Sequence, residues 1–174
     1  MIWQELTYGE MKKAYAMSQE LPVEMRGNYS GNDPLKRLAG YIGQVAAHKY
    51  LTGSENIDAF DYDLLYNGLR VEIKTTFRNV APLSTYTARV ACANSDQLCD
   101  LYLFASAQCE RGKFLHGCWL VGWITKSEMK QKMWYSVKGK KDFDGFIERG
   151  DSLKILISDL RKMPELDKYR GNES

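Results

Sequence analysis

The sequence predicts a single α/β domain in which a central mixed β-sheet is flanked by helices. An Asn67-Gly68 dipeptide separates two segments of alternating polar and apolar residues, which is the strongest short-range signal of a β-hairpin. Two apolar runs, residues 101–107 and 118–124, are typical of inner strands that are buried on both faces. No repeat, linker or low-complexity segment divides residues 1–174, so one domain is expected.

Two helices are predicted before the hairpin. Apolar residues recur at helical spacing over residues 5–20 and again over residues 34–51. Asp33 can cap the second of these helices. Gly40 and Gly43 lie on it and would permit a close approach to the sheet.

The rest of the chain is less regular. Residues 77–97 are the hardest to interpret, and residues 84–91 within them fit either a strand or a loop on the substrate side. Beyond the apolar runs, the patterns predict a short helix at 128–133, a loop at 136–150, a strand at 153–157 and a C-terminal helix at 158–169 that is interrupted at Pro164.

The hairpin has one apolar and one charged face. A two-residue loop pairs Tyr66 with Leu69, so that Asp63 lies opposite Glu72 and Asp61 lies opposite Lys74. The apolar face holds Tyr62, Leu64, Tyr66, Leu69, Val71 and Ile73. The charged face holds Asp61, Asp63, Arg70, Glu72 and Lys74, with Leu65. A longer loop with a bulge would instead split this cluster between the two faces.

The charged face indicates a cation site. Carboxylates that oppose each other across two strands repel, as Asp63 and Glu72 would. A divalent cation would turn that repulsion into ligation, because Mg²⁺ prefers carboxylate oxygens together with water and phosphate. The alternative is a solvated strand face on which Asp61 and Lys74 form an ordinary ion pair.

Asp63 followed by Glu72-Ile73-Lys74 resembles the core motif of the PD-(D/E)XK nuclease superfamily, which has the restriction-endonuclease-like fold. The resemblance covers a core of about residues 34–160. It implies that Asp63 and Glu72 bind a catalytic Mg²⁺ or Mn²⁺ and that Lys74 orients or activates the attacking water. Gln44 stands where the family often has Glu, so Gln44 and Asp61 are further candidates for the metal shell. Tyr62 replaces the motif's proline.

Charge is distributed unevenly along a chain whose net charge is only +2. Residues 111–141 contain eight basic residues and one acidic residue, interleaved with Trp119, Trp123, Trp134 and Tyr135. Basic residues among aromatics are typical of contacts with a nucleic-acid backbone. The candidates for this role are Arg78, Lys138, Lys140 and Lys141, while in a nuclease Ser84, Thr85 and Arg89 would also lie near phosphates. A solvated helix face with core tryptophans explains the same pattern equally well.

Other chemistries find little support in the sequence. Cys92, Cys99, Cys109 and Cys118 lack metal-site spacing and are expected to be free thiols, which suits a reducing cytoplasm. No apolar run is long enough to span a membrane, and no secretory signal is seen. No phosphate-binding glycine loop or nucleophile elbow is present, and His48 is expected to be a satisfied or surface residue.

The sequence therefore predicts a metal-dependent nuclease that hydrolyses phosphodiester bonds in DNA, with RNA as the other possible substrate. A homodimer would suit an enzyme that cuts both strands. Two alternatives stay open: a catalytically silent module that binds nucleic acid or takes part in assembly, and a structural domain whose hairpin is simply ion-paired.

Overall fold

The computed structural model describes residues 1–20, 33–57, 61–141, 147–148 and 150–169. In chain order, the elements are β1 (Ile2–Glu5), α1 (Tyr8–Gln19), α2 (Pro34–Tyr50), β2 (Glu55–Asn56), β3 (Leu64–Tyr66), β4 (Leu69–Arg78), β5 (Thr87–Ala91), β6 (Leu101–Glu110), β7 (Lys113–Thr125), α3 (Lys126–Lys132), β8 (Trp134–Ser136), β9 (Ser152–Leu156) and α4 (Met163–Leu166). The α/β class predicted from the sequence is confirmed.

The central sheet is mixed, as predicted. Its six strands have the order β1-β7-β6-β4-β3-β2. Strands β4 and β6 run parallel, and the other neighbouring pairs are antiparallel. Residues 101–107 of β6 are all buried, which confirms that this run is an inner strand covered on both faces. Because β4 is one of the two central strands, its hairpin residues Glu72 and Lys74 lie in the middle of the sheet.

Helices cover one face of this sheet. Asp33 caps α2, because its carboxylate accepts a hydrogen bond of 3.0 Å from the backbone N–H of Leu35. The apolar side of α2 buries Ile42 and Val45 against the β4 residues of the same core cluster. Side chains of α1 and α4 complete this core, including Ala14, Met163 and Leu166.

The opposite face differs from the prediction of flanking helices. A second sheet of three strands, ordered β5-β9-β8, covers it together with the short helix α3. Residues 153–157 were correctly predicted as a strand, but the strand belongs to this second sheet. The cluster between the two sheets contains Val90, Tyr102, Phe104, Ile124, Met129 and Ile155. The even-numbered residues of β4 face this second layer because strand side chains alternate.

Gly43 allows α2 to pack closely on β4. A Cβ atom at Gly43 would lie only 1.9 Å from Oγ1 of Thr75. The predicted close approach is therefore confirmed at Gly43, but it is wrong for Gly40, where a Cβ would meet nothing within 4 Å. This contact brings the next residue of α2, Gln44, to the start of the hairpin.

The ends of several elements differ from the prediction. Residues 2–5 form β1, and α1 begins only at Tyr8, because Thr7 and Glu10 form a capping box. The C-terminal helix is a single turn, Met163–Leu166. Trp134–Ser136 adds an edge strand at the start of the predicted loop, and residues 142–146 and 149 of that loop lie outside the described residues.

Candidate active site

The hairpin has the predicted turn and, between Leu64 and Val71, the predicted register. Tyr66 pairs with Leu69, and Leu64 pairs with Val71. Asn67 and Gly68 have φ values of 50° and 78°, the left-handed conformations that a two-residue type I′ turn requires. The pairing places Val71 and Ile73 in the core beneath the helices. Lys74 lies on the opposite sheet face with Glu72, as predicted.

The regular ladder ends at Leu64, however, rather than continuing to Asp63. The backbone N–H of Asp63 donates a bond of 3.0 Å to the carbonyl of Val71, the residue already paired with Leu64. Two residues of one strand thus oppose one residue of the other, which is a β-bulge. The predicted strict pairing of Asp63 with Glu72 and of Asp61 with Lys74 is therefore wrong in its backbone register.

The bulge redirects the acidic side chains. Oδ2 of Asp63 accepts a bond of 2.7 Å from the backbone N–H of Ile73, next to Glu72. Asp61 accepts a bond of 3.0 Å from the N–H of Leu98 instead of pairing with Lys74. Tyr62 packs against the core between the two sheets and not on the face predicted for it. A bulge changes the side-chain alternation, which accounts for these shifts.

Gln44 holds the Asp63 carboxylate from the helix side. Its Nε2 donates a hydrogen bond to Oδ1 of Asp63. Asp63 is buried and accepts bonds on both oxygens, so its carboxylate is fixed in orientation. Of the candidates for a metal shell, the structure thus brings Gln44 and Asp63 into direct contact.

Glu72, Lys74 and Gln97 form a buried polar network. The ammonium of Lys74 lies 2.6 Å from Oε1 of Glu72 and donates to Oε1 of Gln97 at 2.8 Å. Nε2 of Gln97 donates to the same Glu72 oxygen at 3.1 Å. The other oxygen of Glu72, Oε2, is buried and has no hydrogen-bond partner within the described part of the chain.

Burial makes the Glu72 carboxyl group a weaker acid than an exposed glutamate. Burial raises the pKa of Glu72 above the ordinary value of 4.5, while the nearby Lys74 ammonium opposes that rise. The charge of Asp61 raises this pKa further, which shows that Asp61 is close enough to act electrostatically. Burial is the largest cause of the raised pKa of Glu72, and the carboxylate that adds to it is Asp61 rather than the predicted Asp63.

These groups suit a divalent cation with few protein ligands. In the ranges that the structure describes, no group of three or more His, Cys, Asp or Glu side chains would hold a metal ion by itself. Mg²⁺ usually takes only one or two carboxylates and fills its shell with water and substrate phosphate. The buried Oε2 of Glu72 supplies the acceptor that such an ion would use. The unpartnered oxygen of Glu72 is therefore compatible with a Mg²⁺ or Mn²⁺ ion that takes one carboxylate ligand here and fills its shell with water and phosphate.

The same face of β4 continues into a narrow cleft. Lys74, Thr76 and Arg78 line it, and Thr87 and Arg89 of β5 lie across from them. Nη2 of Arg78 donates to the carbonyl of Thr87 at 3.4 Å, and its guanidinium lies 4.6 Å from the ring centre of Tyr86. Of the residues expected near phosphates, Arg78 and Arg89 thus lie at the cleft, whereas Ser84 and Thr85 are exposed and do not line it.

The predicted basic and aromatic stretch separates into two groups. Trp123 is fully buried, and the ring of Trp119 packs at a tilt against Trp3, with ring centres 5.3 Å apart. Trp134 and Tyr135 on β8 are 39% and 53% exposed. The turn that follows β8 exposes Lys138, Lys140 and Lys141. The backbone of Lys138 bonds to Asp151, and that of Lys140 bonds to Val137 and Glu148. Lys141 forms a β-bridge with Ile147. These contacts tie the lysines to the second sheet rather than to the hairpin.

Sequence reasoning missed Gln97. It lies in the turn after β5, and nothing in the local sequence indicates that this turn folds back over Glu72. His48 is satisfied as expected, since its Nδ1 lies 2.8 Å from Oγ of Ser54. The four cysteines are free thiols.

Comparison with known proteins gives no family for the chain: no protein-family model matches it, and no curated protein has a similar sequence. Among the described residues, no helix combines the length and apolar character needed to cross a membrane.

Proposed function

We propose that this protein is a metal-dependent nuclease of the PD-(D/E)XK type, with a restriction-endonuclease-like fold, that hydrolyses phosphodiester bonds in DNA. The observation that carries the proposal is the burial and incomplete hydrogen bonding of the Glu72 carboxylate. This carboxylate is buried with one oxygen on Lys74 and the other without a partner in the described residues, beside an Asp63 fixed by Ile73 and Gln44. A buried carboxylate oxygen that makes no hydrogen bond costs free energy, and a bound metal ion would compensate that cost.

Asp63 and Glu72 would hold the metal, with Asp61 and Gln44 close by. When bound, a divalent metal would polarise the phosphoryl oxygens and make an attacking water more acidic. The chain contributes orientation. Asp63 is held on two sides and Glu72 is held by Gln97, so both carboxylates keep their positions without rearranging during the reaction.

Lys74 supplies a fixed positive charge. Its ammonium is held between Glu72 and Gln97 at 2.6 and 2.8 Å, and its side chain also lines the adjoining cleft. Negative charge develops on the phosphoryl oxygens during hydrolysis, and a cation that is already in place stabilises it without further reorganisation. Lys74 would also orient a water through its remaining donor capacity.

A specific observation favours a second candidate, a catalytically silent module that binds nucleic acid. Lys74 already neutralises Glu72, and Gln97 bonds to both. In this network the charge of Glu72 is neutralised without a metal. Under this alternative, DNA binding would depend on salt but no strand would be cut.

Cleavage assays separate the two proposals. Supercoiled plasmid and single-stranded DNA are incubated with the protein and Mg²⁺, Mn²⁺ or EDTA. The nuclease proposal predicts cleavage with either metal, none with EDTA, and loss of cleavage in Glu72→Gln and Asp63→Asn. Glu110→Gln is the matched control, because Glu110 is an exposed carboxylate at the far end of β6.

Binding without cleavage in any metal would favour the silent module, and cleavage by Glu72→Gln equal to wild type would contradict the site.

We place the activity in the cytoplasm, where free thiols persist. An enzyme of this size that cuts both strands would act as a homodimer. Analytical ultracentrifugation of the protein bound to DNA would detect two protein chains in the complex.

A further inference from the structure

We infer that the cleft between β4 and β5 binds a phosphate group of the nucleic acid. This phosphate would be the neighbour, along the nucleic-acid strand, of the one that lies at Asp63 and Glu72. The nature of this ligand rests on the proposed function, but the site is defined by its own residues. Thr87 and Arg89 of β5 and Ser106 of β6 line the cleft together with Lys74, Thr76 and Arg78 of β4.

Two hydroxyl groups in the cleft are unsatisfied. Thr87 and Ser106 are each only 2% exposed. Oγ1 of Thr87 and Oγ of Ser106 have no hydrogen-bond partner in the described part of the chain. A buried hydroxyl that makes no hydrogen bond costs free energy, and native proteins rarely keep two of them in one place without a ligand or water between them. Both hydroxyls could donate to an oxygen in the cleft.

The charge of the cleft selects an anion. Three cations, Lys74, Arg78 and Arg89, line it, and the described lining contains no carboxylate. Glu148 approaches Arg89 to 3.4 Å from outside this lining, and thereby holds the guanidinium in place. A water would satisfy the hydroxyls, but it carries no charge to complement the cationic lining, in which Lys74 and Arg89 are also paired with Glu72 and Glu148. A phosphoryl oxygen satisfies both, because it accepts hydrogen bonds and carries negative charge.

The size of the cleft restricts how a phosphate would enter. Its internal volume is about 10 Å³, which is the room needed by one water-sized group. One phosphoryl oxygen therefore fits between the hydroxyls while the remainder of the group lies at the mouth, within reach of arginine side chains. A wider groove of about 480 Å³ shares Arg78 with this cleft and is also lined by the half-buried Tyr86, and the flanking nucleotide would lie there.

The test removes one hydroxyl at a time. Thr87→Val and Ser106→Ala delete the two groups with little change in shape. Thr75→Val is the matched control, because Thr75 Oγ1 is also buried without a partner in the described residues but faces Gly43 on the other side of β4. Thr87→Ser keeps the hydroxyl and serves as a rescue variant. All proteins are compared in EDTA, so that the measurement does not depend on a metal or on cleavage.

Two readouts apply to each variant. The first is the melting temperature in inorganic phosphate against chloride at equal ionic strength, and the second is the anisotropy of a fluorescein-labelled single-stranded oligonucleotide. We expect phosphate to raise the melting temperature of wild type, Thr75→Val and Thr87→Ser, but not of the two cleft variants. The Kd for DNA should rise roughly tenfold in each cleft variant, as expected for a lost hydrogen bond to a charged group.

The outcomes distinguish this inference from the nuclease proposal. Cleft variants that respond to phosphate and bind DNA like Thr75→Val would overturn the inference, and the cleft would then hold only water. A phosphate response in a protein that never cleaves DNA would support the cleft while contradicting the nuclease. If Thr87→Val fails to fold, Ser106→Ala decides the question alone.

Discussion

Replacing Lys74 by Met tests whether Glu72 is held in the fold as a buried anion. The Lys74 ammonium lies 2.6 Å from the Glu72 carboxylate, and the two side chains are 16% and 8% exposed. Met has a similar length but no charge. The substitution therefore leaves the carboxylate buried with Gln97 still donating at 3.1 Å, but without its cation.

The expected loss follows from this geometry. Removing one partner of a buried ion pair costs roughly 3–5 kcal/mol, because the other charge stays buried without compensation. Lys74 keeps some exposure and Gln97 keeps its hydrogen bond, so we expect the free energy of unfolding to fall by about 2–4 kcal/mol at neutral pH. The double variant Lys74→Met/Glu72→Gln buries no charge and should recover most of this loss.

The loss should depend on pH with a definite sign. Burial already raises the pKa of Glu72 above 4.5, and removal of Lys74 raises it further. A carboxyl with a raised folded-state pKa contributes stability that is complete below its unfolded pKa and is lost as the pH rises through the folded-state pKa. The deficit of Lys74→Met should therefore be small near pH 4.5 and complete at neutral pH.

Urea unfolding in EDTA, followed by tryptophan fluorescence, measures these free energies for wild type, both single variants and the double variant. Lys113→Met is the control, since Lys113 is an exposed lysine at the start of β7. A loss under about 1 kcal/mol, a loss that does not change with pH, or no recovery in the double variant would refute the reasoning.

Three further predictions concern other parts of the molecule. Burial raises the pKa of Glu128, but hydrogen bonds from Arg161 and other groups bring it down to about 2. Glu128→Gln should therefore lower the free energy of unfolding by about 1–3 kcal/mol at neutral pH. Urea titrations should show this difference vanish as the pH falls from 4.5 towards 2. Gly43→Ala should cost about 1–3 kcal/mol through its clash with Thr75, and Thr75→Ala should restore part of it in the same assay. If the turn after β8 contacts phosphates, each Ala substitution at Lys138, Lys140 or Lys141 should reduce the slope of log K against log salt concentration for DNA binding by about one. An unchanged slope would mean that these lysines are only solvated.

The hairpin shows how far local sequence signals reach. Asn67-Gly68 fixed the turn, and alternation then correctly assigned the buried and polar faces of β4. Asp33 marked the start of α2 because a capping side chain acts within its own turn. These features depend on residues that are close in sequence.

The rest depended on contacts between distant segments. The bulge at Asp63 involves hydrogen bonds to Val71 and Ile73 that a regular alternation cannot anticipate. Gln97 reaches Glu72 only because the β5 segment crosses over the sheet. The second sheet has the same cause, since the pattern of residues 153–157 predicts a strand but not its neighbours. Periodicity indicates which face of an element is buried, not which element covers it.

Mn²⁺ binding is the most direct test of the central claim that Asp63 and Glu72 form a metal site. Electron paramagnetic resonance of free Mn²⁺ measures binding without any requirement for cleavage. We expect saturable binding to wild type and to the Glu110→Gln control, retained binding in Lys74→Met, and loss of binding in Asp63→Asn and Glu72→Gln. A wild-type protein that binds no Mn²⁺, or a Glu72→Gln protein that binds it as tightly as wild type, would contradict the account.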